Sequence, residues 1–74
     1  MTKATLIEKM AGMGYALTPN TDYHYSRCWG KSYGDMEYVN LENFTYSREY
    51  VDPDEENFTE ECANFTELAE WILD

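Results

Sequence analysis

Apolar residues open the chain at helical spacing: Ile7, Met10, Ala11 and Gly14 stand at i, i+3, i+4 and i+7, one stripe of a helix. Thr5-Leu6-Ile7-Glu8 has the form of a capping box, a hydroxyl accepting from an exposed N–H while the carboxylate reaches back. Gly12 and Gly14 weaken the helix and Gly14 suits a C-terminal stop, so the spacing predicts a short helix over about residues 3–13. Thr18-Pro19-Asn20-Thr21 then reads as a turn. From there the period changes to two. Asp22–Trp29 places Tyr23, Tyr25, Arg27 and Trp29 on one face, Gly30–Asp35 makes a loop, and Met36–Leu41 is a second candidate strand. Phe44–Val51 is the third, with Phe44, Tyr46, Arg48 and Tyr50 alternating.

The helical period returns at the C-terminus. Asn64-x-x-Glu67 is a capping box, and Phe65, Leu68, Ala69 and Ile72 form a stripe with Trp71 beside it. Between sheet and helix, Asp52-Pro53 followed by Asp54, Glu55 and Glu56 resembles a helix start, with Pro at the first position and carboxylates at the positive dipole end. Asn57, Thr59 and Asn64 oppose one long helix. The pattern therefore predicts helical structure in two pieces, broken near Asn64. The fold expected is one α+β domain over residues 1–74: an N-terminal helix, a three-stranded antiparallel sheet, and a C-terminal helical segment packed on one sheet face. Leu6 or Ile7, Met10, Tyr38 or Val39, Phe44, Tyr46, Phe65, Leu68 and Ile72 are the core candidates.

Asn-Phe-Thr occurs at 43–45, 57–59 and 64–66. Each is formally a glycosylation sequon, but the N-terminus lacks the continuous apolar run of a secretory signal. The plainer reading is that Asn ends one element while Phe plugs the core. No stretch approaches the ~18 apolar residues of a membrane span, so a cytoplasmic setting is the expectation. With two cysteines, Cys28 and Cys62, the chain has too few for a disulfide framework, and they read as small buried thiols, with a single bridge as the alternative.

Charge changes the picture most. Residues 1–34 hold two acids and four bases, whereas residues 35–74 hold thirteen acids and Arg48 alone as a base, for a net charge of −10. Within the second part, seven of the thirteen residues from Glu49 to Glu61 are acids (Glu49, Asp52, Asp54, Glu55, Glu56, Glu60, Glu61), and Glu67 and Glu70 continue on the polar side of the last helix. Self-repulsion of this kind destabilises so small a domain.

Most chemistry is disfavoured by spacing. The run Asp52–Asn57 resembles the start of an EF-hand loop, but its sixth position is Asn57 instead of Gly and its twelfth Ala63 instead of Glu. His24, Cys28 and Cys62 offer soft ligands without a tight pair, so neither a metal nor another cofactor is expected. His24 and Cys28 lie about 13 Å apart on a strand, too far for a nucleophile and its base. Adjacent acids such as Glu55/Glu56 and Glu60/Glu61 read as a solvated charge run, not an acid–base pair. Catalysis is not expected. Direct nucleic-acid binding is opposed by five bases against fifteen acids.

What dense carboxylates can do is imitate a phosphate backbone, which carries about one charge per 1.7 Å of duplex axis. In size, charge and compactness the chain resembles the small DNA-mimic inhibitors encoded by phages and mobile elements, of the anti-CRISPR and anti-restriction type. The likeness lies in composition and architecture, not in a motif. It implies a non-enzymatic inhibitor whose partner is a basic nucleic-acid-binding protein or complex, such as a CRISPR–Cas effector; the charge pattern, and not the likeness, nominates Glu49, Asp52, Asp54, Glu55, Glu56, Glu60, Glu61, Glu67 and Glu70 as the surface that meets it. The alternative is a protein-interaction module, antitoxin-like or a regulatory adaptor, anchored by exposed Tyr and Trp with the acids as rim.

Overall fold

The computed structural model describes residues 1–29 and 34–74. Among these residues two helices, α1 (Lys3–Gly12) and α2 (Phe65–Leu73), flank five strands: β1 (Ala16–Leu17), β2 (His24–Cys28), β3 (Met36–Asn40), β4 (Thr45–Glu49) and β5 (Phe58–Glu61). The strands form one antiparallel sheet in the order β1-β2-β3-β4-β5, so each pairs with its neighbour in sequence. Among the described residues no helix is long and apolar enough to cross a membrane.

The α+β class holds, but the expected three-stranded sheet is corrected to five strands. β1 is two residues long, too short to display a period, and is held by pairing Ala16 with Ser26 and Leu17 with Tyr25. β5 lies where helix was expected. The helix-start signal at Asp52 is real but ends within a turn: the Asp52 carbonyl accepts from Glu55 N at 3.1 Å and its carboxylate from Asp54 N at 2.9 Å. Asn57 then accepts from Tyr50 N at 2.7 Å, closing the loop and sending the chain back along β4. β-Branched Thr59 pairs with Ser47, their hydroxyls 2.9 Å apart.

Two local readings also move. The cap of α1 is Thr2, which accepts from Thr5 N at 3.2 Å, so Thr5 sits inside the first turn and is not the cap. At α2 the expected cap stands: Asn64 accepts from Glu67 N at 2.9 Å, and Glu67 accepts from Ala63 N at 3.4 Å. Of the expected loop Gly30–Asp35, residues 30–33 lie outside the described residues; Gly34 turns at φ +107 and Asp35 is buried. The three Asn-Phe-Thr repeats mark starts: the first precedes β4, the second opens β5 and the third opens α2.

Both helices pack on one sheet face. Leu6 and Met10 of α1 and Leu68, Ala69 and Ile72 of α2 share a core with the cross-strand row Tyr25, Val39 and Tyr46. Of the either-or candidates, Leu6 is buried while Ile7 is partly so, and Val39 is buried while Tyr38 points to the opposite, uncovered face. Phe44 and Phe65 are only partly buried against the core, and Tyr15, Tyr25, Leu41, Cys62 and Ala69 join it.

Candidate functional site: an acidic sheet edge

The strand pattern delivers the arginines to an unexpected place. Arg27 and Arg48 flank Glu37 across β2, β3 and β4, all on the helix-covered face. Glu37 is 2% exposed. Arg27 Nε lies 2.6 Å from its Oε1, Arg48 reaches to 3.8 Å of Oε2, and the Tyr15 hydroxyl donates to Oε2 at 3.2 Å. The Tyr46 hydroxyl donates to the same oxygen and accepts from Arg48 Nε at 2.7 Å. Arg27 also donates to the Met13 carbonyl at 2.9 Å and lies over the Tyr15 ring, while Arg48 lies 3.6 Å from the Trp29 ring centroid. Burial alone would push the Glu37 carboxyl up, but hydrogen bonds from Tyr46 and Arg27 and the Arg27 charge outweigh it and hold the group below the ordinary range.

This cluster was missed from sequence, although its signal was present in the two arginines placed on aromatic strand faces. Its consequence is electrostatic. Arg27, Glu37 and Arg48 together carry +1, so the remainder of a −10 chain carries −11.

The nine expected site acids all belong to the β4–β5 hairpin and α2, but they wrap a sheet edge and do not share one face. Glu60 points to the helix side, opposite Tyr46, and Glu61 to the uncovered side, opposite Thr45. Glu49 also faces the uncovered side, at the far end of β4 from Glu61, where burial, and then the Glu49 charge, raise the Tyr38 hydroxyl. Asp52, Asp54, Glu55 and Glu56 are exposed in the connecting loop. Two groupings are tight. Burial, then the charges of Glu67 and Glu60, raise the Cys62 thiol where β5 hands over to α2. Glu67, Glu70, Trp71 and Asp74 line one shallow groove.

Aromatics sit inside this acidic rim. Trp71 stacks on Tyr46 with centroids 5.8 Å apart, and Phe58 lies 6.2 Å from Tyr46 and 6.5 Å from Trp71. Trp71 and Phe58 keep 44% and 38% of their surface exposed. Phe58 and Asp74 were not foreseen as site residues.

The soft-ligand residues stay apart. His24 Nδ1 lies 2.8 Å from the Thr18 hydroxyl and its ring stacks on Tyr38, whereas Cys28 donates to Met36 Sδ at 3.3 Å. Both cysteines are free thiols, and Cys28 is exposed where a buried thiol was expected. Among the described residues no group of three or more His, Cys, Asp or Glu is arranged to hold a metal ion. No family model, no curated protein and no solved structure matches the chain.

Proposed function

We propose that the protein is a non-enzymatic, phage-type inhibitor acting in the host cytoplasm. Its acidic edge would occupy a basic nucleic-acid-binding surface of a defence complex such as a CRISPR–Cas effector. One observation carries the reading: Arg27 and Arg48 are turned inward onto Glu37, so the half of the fold built by β4, β5 and α2 presents many exposed carboxylates and, as its one base, a partly buried Arg48 already paired with Glu37. Such a field steers the chain to Lys/Arg-lined grooves and sets it in competition with nucleic acid there.

The test is displacement. A labelled target duplex bound to a guide-loaded effector is titrated with the chain, followed by anisotropy, over a salt series. Competitive release is expected, weakening about tenfold or more between 0.1 and 0.3 M salt. The double reversal Glu55→Lys/Glu56→Lys should weaken it further. Displacement indifferent to both salt and reversal refutes charge mimicry. The exposed Trp71–Phe58 pair supports the second reading, an aromatic-anchored interaction module, for which binding survives salt and is lost on Trp71→Ala.

A further inference from the structure

β5 ends the sheet, and among the described residues nothing pairs with its outer side. The phase of its backbone is fixed by Cys62 N donating to the Phe44 carbonyl at 2.9 Å. By the alternation of an antiparallel pair, Phe58 and Glu60 then direct their N–H and C=O groups at β4, while Thr59 and Glu61 direct theirs away from it. The edge therefore offers unsatisfied donors and acceptors, without a proline or any masking lysine along Phe58–Glu61.

We infer that this edge accepts an extended, Lys/Arg-bearing segment of a partner protein as a sixth strand. The inference rests on the proposal above for the sign of the partner's charge, and adds how the partner is held. Main-chain hydrogen bonds would supply the register, and side chains would alternate between two surfaces. On the helix side lie Phe58 and Trp71, an apolar platform, with Glu60 on the same side; on the uncovered side Glu61 stands near the edge. The occupant is thus a strand with apolar and basic residues in alternation. A second copy of the chain is disfavoured by its own charge, since pairing two β5 edges would bring Glu60 and Glu61 of each against those of the other. A nucleic-acid strand is repelled by the same carboxylates.

Calorimetric titration of the full chain with a short capped peptide of alternating Lys and Val tests this. Two derivatives carry N-methyl groups on alternate amides, one set in each register. Strand addition predicts that one derivative loses about tenfold or more in affinity while the other binds like the parent. Thr59→Pro removes an outward N–H at an edge position where proline is tolerated, and should cause a comparable loss. Equal binding of all three peptides to the unaltered chain, or failure of the parent to bind at low salt, overturns strand addition. Either result leaves charge mimicry standing if salt-sensitive duplex displacement persists. The chain should sediment as a monomer; a dimer dispersed by Thr59→Pro would assign the edge to self-association and overturn the inference.

Discussion

Replacing Glu37 with Gln removes one charge and almost no volume from the most connected side chain in the fold. Two guanidinium groups then lose their counter-charge, Arg27 at 2.6 Å and Arg48 at 3.8 Å, with side chains only 21% and 29% exposed. A unit pair at 4 Å is worth about 4 kcal/mol at an effective dielectric near 20. Water reaches both arginines in part, and the Gln carbonyl keeps one acceptor, so the loss belongs at the low end for breaking a buried pair, about 3 kcal/mol. A domain of this size is held by ~5 kcal/mol, so more than half of its stability goes. Urea unfolding at pH 7, followed by fluorescence, reads this directly, because Trp29 lies against Arg48 and Trp71 against Tyr46. The midpoint should fall with the slope unchanged. The apolar replacement Arg27→Met/Glu37→Leu/Arg48→Met, combined with Tyr15→Phe and Tyr46→Phe so that neither buried hydroxyl is stranded, should cost less than Glu37→Gln alone, since it leaves no charge uncompensated. A Glu37→Gln loss under about 0.5 kcal/mol, ordinary for a surface substitution, would refute the reasoning.

The same cluster sets the pH limits. Burial, with the Glu37 hydrogen bond, pushes the Tyr46 hydroxyl up to about 12, and burial with the Glu37 charge raises Tyr15 as well. Both hold their protons more tightly when folded. Their contribution is therefore full below pH ~10 and is lost as pH rises through the folded values. Glu37 is shifted the other way, so its contribution is present above pH ~4.3 and lost as pH falls below it. Urea midpoints measured across pH should decline on both limbs, and Tyr46→Phe should flatten the alkaline one. Thiol labelling of the native chain should modify exposed Cys28 rapidly, with buried Cys62 reacting only on unfolding; two fast thiols would refute the packing at the β5–α2 junction. Glu61→Lys, at an exposed edge position, should raise the urea midpoint at low salt by relieving repulsion, with the gain gone near ~0.5 M salt. A gain that persists there would have another origin.

Elements whose signals are local were legible, and those that depend on distant partners were not. Asn64 and Glu67 are three residues apart and cap α2 by contacts within one turn, so the chain alone specifies that start. Tyr25, Tyr46 and the two arginines alternate on strands, and the alternation placed them correctly on one face. That face could not be known to contain Glu37, because an isolated acid between Met36 and Tyr38 reads as solvent-facing until its neighbours across the sheet are known. β5 was hidden for a related reason. Four acids just before it satisfy every local rule for a helix start, and only Asn57 bonding back to Tyr50 N, with Thr59 paired to Ser47, decides for a strand. The acidic surface was legible as a composition. Its wrapping of an edge became visible only with the register that puts Glu60 and Glu61 on opposite sides.

That register bears on why the acids are there. Charged side chains on a sheet edge commonly prevent sheets from pairing edge to edge, and Glu60 and Glu61 meet that need between copies of this chain. Prevention alone would be served as well by lysines, or by acids balanced with bases nearby. Instead the two arginines closest to the edge in the sheet are turned inward, and the described bases outside the Glu37 cluster, Lys3 and Lys9, lie on α1. The edge is thus closed to a like partner and left attractive to an unlike one. Surface repulsion of this kind lowers stability wherever it occurs, so its concentration beside a strand with an unpaired outer edge and two exposed aromatic rings fits a recognition role better than a solubilising one.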